Sequence, residues 1–168
     1  MTLRVGVLTV SDRSARGERP DVSGPALAER IVELGWSVER AAVVPDEPDQ
    51  IRATLLEWCD QAGLDLILTT GGTGFAPRDT TPEATAAVID RPAPGLAEAI
   101  RAASLKITPH AMLSRGLAGI RGSTLVVNLP GSPKGALESL YTITPVLPHA
   151  VQLLRGDPGS EMGHTAKP

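Results

Sequence analysis

Aromatic side chains are nearly absent: Trp36, Trp58, Phe75 and Tyr141 are the only ones in 168 residues. Binding a single nucleic-acid strand by rows of stacked bases is therefore not expected. A lone cysteine, Cys59, cannot close an intrachain disulfide, and no Cys/His spacing suggests zinc. It falls in a helical stretch and reads as a small buried apolar group. An excess of positive charge is lacking too. Sixteen Lys and Arg stand against nineteen Asp and Glu, which argues against general nucleic-acid affinity and leaves any anion site to a few local cations. No apolar run approaches the roughly 20 residues that span a bilayer. The first strand begins at Leu3 without a charged-then-apolar leader, so a cytoplasmic, membrane-free location is expected. Ser-His-Asp hydrolysis has no support, because there is no G-x-S-x-G elbow and His110, His149 and His164 have no partner at a recognisable spacing.

What is present concentrates in one stretch, Leu64 to Ala84 (LDLILTTGGTGFAPRDTTPEA). It reads as a buried strand to Thr69, a glycine turn (Gly71, Gly72, Gly74), a polar knuckle from Pro77 to Thr80, and a helix start at Thr81-Pro82-Glu83. A strand feeding a glycine turn and then a helix aims bare backbone N–H groups into one crevice, which suits phosphate. Neither common nucleotide loop fits. Gly74 is followed by Phe75, Ala76, Pro77 and Arg78, so the lysine of a Walker loop is missing. Pro77 stands after Gly72-Thr73-Gly74-Phe75-Ala76, where the dinucleotide fingerprint requires its third glycine.

The length fits one domain over residues 1–155, with 156–168 (GDPGSEMGHTAKP) expected as a flexible tail. Arg4 to Val10 is an apolar run of strand length without strict alternation, which implies burial on both faces. A polar, Gly/Pro-rich loop follows to Gly24, of the sort that covers a site or moves. Helical stripes follow at about Pro25–Leu34, with Gly35 as its stop, and at Ile51, Leu55, Trp58 and Ala62 before Gly63. A second strand spans Ser37 to Val44. Strand and helix alternate three times with crossovers long enough for parallel pairing, so the fold class is α/β with a layered sheet. Helix is expected again over Thr81 to about Ile89, Leu96 to Lys106, from near Lys134, and over Pro145 to Leu154. A hairpin from Ala118–Arg121 into Thr124–Leu129 adds an antiparallel member.

In such a sheet, ligands bind beyond the carboxyl ends of the strands. Those ends carry Ser11-Asp12-Arg13, Asp46, the segment Gly71 to Asp79, and Gly131-Ser132. Thr81 with Pro82 behind it can cap its own helix, so Asp79 is not needed as a cap and is the stronger catalytic candidate. Asp46 serves equally well as a cap for the second helix or as a carboxylate facing the crevice. Two carboxylates beside a phosphate cradle suggest Mg²⁺ bridging phosphate oxygens and a phosphoryl or nucleotidyl transfer. Arg13, Arg78, Arg115 and Lys134 are secondary candidates for neutralising an anion, and Phe75 either stacks on a flat ring or plugs the core.

LILTTGGTG (Leu66 to Gly74), Arg78-Asp79 with TPEA (Thr81 to Ala84), and NLPGSPKG (Asn128 to Gly135) resemble the molybdenum-cofactor biosynthesis proteins of the Mog and MoaB type, related to the plant and gephyrin G domains. Ser11-Asp12-Arg13, Val44-Pro45-Asp46-Glu47 and Leu113-Ser114-Arg115 extend the resemblance, in the family's order, to about Leu154. The resemblance implies a three-layer α/β/α sandwich with a mostly parallel sheet, assembled as a homotrimer. It implies molybdopterin adenylyltransferase activity, with ATP as co-substrate, Mg²⁺ as cofactor, and hand-over to a molybdate-inserting protein. Asp46 and Asp79 match the family's essential aspartates and are the candidate metal ligands. Thr70, Gly71, Gly72, Thr73 and Gly74 match its nucleotide-binding segment, while Ser11, Asp12, Gly131 and Ser132 match other substrate-binding segments. A MoaB-like pterin carrier or scaffold without catalysis is the alternative.

Overall fold

The computed structural model describes residues 1–158. Six strands form one sheet: β1 (Arg4–Val10), β2 (Ser37–Val44), β3 (Leu66–Thr70), β4 (Arg91–Pro92), β5 (Ala118–Arg121) and β6 (Thr124–Leu129). Their spatial order is β2-β1-β3-β6-β5-β4. The first four in that order are mutually parallel, and β5 runs antiparallel to both of its neighbours. From β1 the chain moves outward to β2 on one side, then returns to place β3 on the other. The sheet therefore has a switch point between β1 and β3, where the connections diverge and leave a crevice above the strand ends.

The central strands are buried on both sides, which explains their near-continuous apolar sequences. Within them the period of two still sorts side chains between faces. Val5, Val7, Leu66, Leu68, Leu125, Val127 and Leu129 enter one core, and Leu8, Val10, Ile67 and Val126 enter the other. The first core is roofed by α2 (Ser23–Glu33), α5 (Pro94–Leu105), α6 (Pro133–Ile143) and α7 (Leu147–Arg155), which contribute Leu27, Ile31, Ile100, Leu140 and Val151. The second is roofed by α3 (Pro48–Asp60) and the short α4 (Thr81–Ala86), with Ile51, Leu55, Trp58 and Ala84. This is the three-layer α/β/α sandwich with a mostly parallel sheet.

Several boundaries differ from the sequence expectation for local reasons. The polar loop after β1 begins as a helical turn, α1 (Asp12–Ala15), because the Ser11 side chain accepts a hydrogen bond from the Ser14 amide. The loop beyond it is tied down as well: Asp21 accepts from Thr9 Oγ1 at 2.8 Å and from the Gly24 amide at 3.1 Å, which starts α2 at Ser23. Helix α4 stops at Ala86 and its N-cap is Thr80 rather than Thr81. A 3-10 turn at Pro109–Leu113 and the two-residue β4 had no periodicity long enough to announce them. Cys59 is half-buried, and burial pushes its thiol pKa up to about 12, in keeping with an inert apolar role. Of the expected tail, residues 159–168 lie outside the described residues.

At the pole opposite the crevice, buried Asp65 joins three parts of the chain. Its carboxylate accepts from the Arg4 amide at 2.7 Å and from Arg155 Nη2 at 2.6 Å and Nε at 3.0 Å, fastening α7 to the start of β1. Removing one member of a buried, hydrogen-bonded pair leaves the others unsatisfied. Asp65→Ala is expected to lower unfolding free energy in urea by roughly 3 kcal/mol, and Arg155→Ala, whose side chain is more exposed, by clearly less. Equal losses would show that the buried carboxylate is not the centre of this network.

Candidate functional site

The crevice at the switch point has a volume of about 850 Å³. Ser11, Asp12, Asp46, Thr70, Gly71, Gly72, Asp79, Gly131 and Ser132 all line it, so nearly every residue expected from the strand ends converges there. Thr73 and Gly74 do not. They border a second, smaller pocket of about 270 Å³ with Ile100, Ile107, Leu113 and His110, and the two cavities share Ser132.

The glycine turn is shaped by how closely it passes its neighbours. Gly71 has φ of +101°, and a Cβ there would stand 2.2 Å from the Val10 carbonyl oxygen. Gly72 has φ of +64°, and a Cβ there would meet Thr81 Oγ1 at 2.4 Å and Asp46 Oδ1 at 3.0 Å. Only glycine meets both the conformational and the steric demand. Thr81, rather than capping its own helix, donates its hydroxyl to the Gly71 carbonyl at 3.0 Å, and its amide bonds the Gly72 carbonyl at 3.1 Å. Thr70 Oγ1 donates to the Pro130 carbonyl at 2.7 Å, holding the Gly131-Ser132 turn beside the glycine turn. Ser132 Oγ caps α6 by accepting from the Gly135 amide.

The two leading carboxylates are held by backbone amides. Asp79 Oδ2 accepts from the amides of Gly74 and Ala76, each at 3.1 Å, so it braces the loop that carries it. Asp46 does not cap α3, whose N-cap is Glu47 without a side-chain bond. Instead, Asp46 and Asp12 exchange hydrogen bonds: Asp46 Oδ2 accepts from the Asp12 amide at 2.8 Å, and Asp12 Oδ1 accepts from the Asp46 amide at 3.1 Å. Desolvation pushes the Asp46 pKa upward, and the charges of Asp12 and Asp79 add to this, while the Asp12 amide opposes it. Asp12 moves the opposite way, mainly because Arg78 donates to its carboxylate.

The secondary candidates separate clearly. Arg115 serves the loop: it donates to the carbonyls of Gly74 (2.8 Å) and Asp79 (2.6 Å) and pairs with Glu83. Lys134 is well exposed beside Glu138. Phe75 plugs no core, being 68% exposed. Arg13 and Arg78 border the crevice. Missed from the sequence was Asn128, buried in β6, whose Nδ2 donates to Thr69 Oγ1 and Thr85 Oγ1, both at 2.9 Å, and whose Oδ1 accepts from the Leu117 amide. A lone amide in the apolar run TLVVNL was the available signal.

Among the described residues, no group of three or more His, Cys, Asp or Glu is placed to hold a metal by itself. Asp46 and Asp79 each keep one carboxylate oxygen without a hydrogen bond among the described residues, and Asp46 is partly buried. That donor set fits a hard divalent cation of the Mg²⁺ kind, which takes one or two carboxylates and completes its shell with phosphate and water.

Fold and site together define a three-layer α/β domain with a polar, glycine-lined crevice at the carboxyl ends of its parallel strands. Residues 6–149 match the protein family described as "Probable molybdopterin binding domain". The chain belongs to that family. It is 44% identical over 158 residues to the molybdopterin adenylyltransferase of Helicobacter pylori strain J99, covering 93% of this chain and 90% of that one. It is 47% identical to the molybdenum cofactor synthesis protein cinnamon of Drosophila melanogaster, covering 93% of this chain but only 26% of that longer protein. A crystal structure of the molybdopterin biosynthesis enzyme MoaB from Thermus thermophilus superposes with a TM-score of 0.88 at 56% identity, over 94% of this chain and 99% of that one.

Two measurements check the site. Carbon-detected NMR titration is expected to find Asp46 protonating above, and Asp12 below, the ordinary aspartate range; Asp79→Asn is expected to lower the Asp46 midpoint by removing a like charge. An Asp46 midpoint unmoved by that substitution would place the two carboxylates too far apart to act together. Gly71→Ala is expected to destabilise the chain by more than about 2 kcal/mol in urea unfolding, since backbone and not a mobile side chain must give way. A loss below about 1 kcal/mol, the ordinary effect of a mutation, would contradict the close approach.

Proposed function

We propose that this chain is a molybdopterin adenylyltransferase, transferring AMP from ATP to the terminal phosphate of molybdopterin in molybdenum-cofactor biosynthesis. The observation that carries the reading is the convergence of Asp46, Asp79 and the glycine turn on one crevice at the switch point. The activity named for relatives 41–44% identical over nearly their whole length supports it.

The chemistry is an in-line exchange at phosphorus. An oxygen of the pterin's terminal phosphate forms a bond to the α-phosphorus of ATP, the bond from that phosphorus to the bridging oxygen breaks, and pyrophosphate leaves with the electron pair. The protein's task is then positioning and charge compensation. The glycine turn lets backbone approach the nucleotide closely, and Thr81 and Thr70 fix that turn against Gly71 and Pro130. Asp46 and Asp79 are the residues that would hold Mg²⁺, which when bound neutralises phosphate charge. Their hydrogen bonds to fixed amides pre-orient the remaining oxygens. The raised pKa of Asp46 means that acidification discharges it earlier than an ordinary carboxylate.

The same reading extends to assembly and setting. A homotrimer would bury the exposed apolar side chains Ile107, Leu113 and Tyr141, which border adjoining pockets around α5 and α6. No helix among the described residues is long and apolar enough to cross a membrane; a cytoplasmic setting and hand-over to a molybdate-inserting protein complete the proposal.

Purified protein given ATP, Mg²⁺ and molybdopterin is expected to release pyrophosphate. Asp79→Ala is expected to cut that rate by about a hundredfold or more while leaving the circular dichroism spectrum and most pterin binding intact. Full turnover in the variant would remove Asp79 from its role. Tight pterin binding by the unaltered chain without pyrophosphate release would make the protein a carrier.

A further inference from the structure

The crevice has two banks, and one side chain spans them. One bank is formed by the ends of β1 and β2, the other by the segment between the glycine turn and α4. Arg78 lies on the second bank and reaches the first: its Nε donates to Asp12 Oδ2 at 3.0 Å, and its Nη2 to Asp12 Oδ1 at 2.9 Å and to Glu47 Oε1 at 2.7 Å. Arg78 and Asp12 line the crevice, whereas Glu47 stands outside it. About half of the Arg78 and Glu47 side chains remains exposed. Ion pairs in such a setting are screened and weak, so their partners exchange readily.

A guanidinium fork fits a carboxylate and a phosphate equally well, and a polyphosphate carries denser charge than either carboxylate. The crevice itself presents four carboxylates, Asp12, Asp21, Asp46 and Asp79, against the guanidinium groups of Arg13, Arg19 and Arg78, so a polyanion entering it depends on those cations. We propose that Arg78 is a polyphosphate-binding residue held in reserve. Asp12 and Glu47 keep its guanidinium at the mouth of the crevice, and it gives up these partners for phosphate oxygens of an incoming nucleotide. No covalent bond changes in this exchange. The inference rests on reading the crevice as a nucleotide site and adds to it the group that grips the phosphates.

Glu47 makes the idea sharply testable, because it competes for the arginine without touching the ligand. If the pair is only a structural clasp, loosening it should harm binding; if it is a reserve, loosening it should help. Calorimetric titration of the full chain with magnesium–ATP, and separately with inorganic tripolyphosphate, needs no pterin. Arg78→Ala is expected to weaken both by about tenfold or more, and Arg78→Lys, which keeps charge but loses the fork, by an intermediate factor. Glu47→Gln is expected to tighten both by roughly two- to fivefold at low salt, with the gain vanishing near 0.5 M salt. Unchanged binding in Arg78→Ala, weaker binding in Glu47→Gln, or no binding of either polyanion by the unaltered chain would overturn the proposal. The expected pattern without any pyrophosphate release in the complete reaction would leave Arg78 in this role and overturn the adenylyl transfer instead.

Discussion

The crevice depends on a backbone contact: the chain leaving β3 passes so close to the last carbonyl of β1 that no side chain fits at Gly71. Parallel strands at a switch point send their connections in opposite directions, and the space this opens is useful only if one connection stays low over the strand ends. Gly71 and Gly72, in conformations that side chains rarely adopt, keep it low. Thr81 then ties the start of α4 to the same turn by two hydrogen bonds. From that contact follow the position of Asp79, the distance from Gly72 to Asp46, and the path of the Gly131-Ser132 turn alongside.

Charge is the second constraint. Four carboxylates border one partly enclosed space, and like charges there would repel without compensation. The fold manages them unequally. Asp12 is given an arginine, Asp21 a threonine hydroxyl and an amide, Asp79 two amides, and Asp46 an amide together with a share of burial. Their pKa directions differ accordingly, with Asp12 held down and Asp46 held up. On the proposed reading, a divalent cation would relieve electrostatic strain of this kind.

Much of this was legible in the amino-acid sequence where local rules apply. The apolar runs marked the buried strands, Gly35 and Gly63 marked helix ends, and the polar residues after each strand marked the mouth of the crevice. The layered α/β class followed from alternation alone, and the family's motifs added its particular chemistry. What escaped were contacts between residues far apart in the chain. Thr81 looked like a cap because its neighbours are Thr80 and Pro82, yet its hydroxyl serves Gly71, ten positions earlier. Arg115 looked like an anion ligand but is occupied by two carbonyls of the glycine loop. Asp46 was balanced between cap and crevice by local sequence; it leaves α3 uncapped, and the pairing of β1 with β2 brings Asp12 beside it.

The clasp at Asp65 also fixes the two ends of the folded unit against each other. Arg155 reaches both Asp65 and the sulfur of Met1, so the first residue and the end of α7 lie together at the amino ends of the strands, away from the crevice. The chain entering β1 and the chain leaving α7 are thus fastened to one another on the side of the sheet facing away from the crevice.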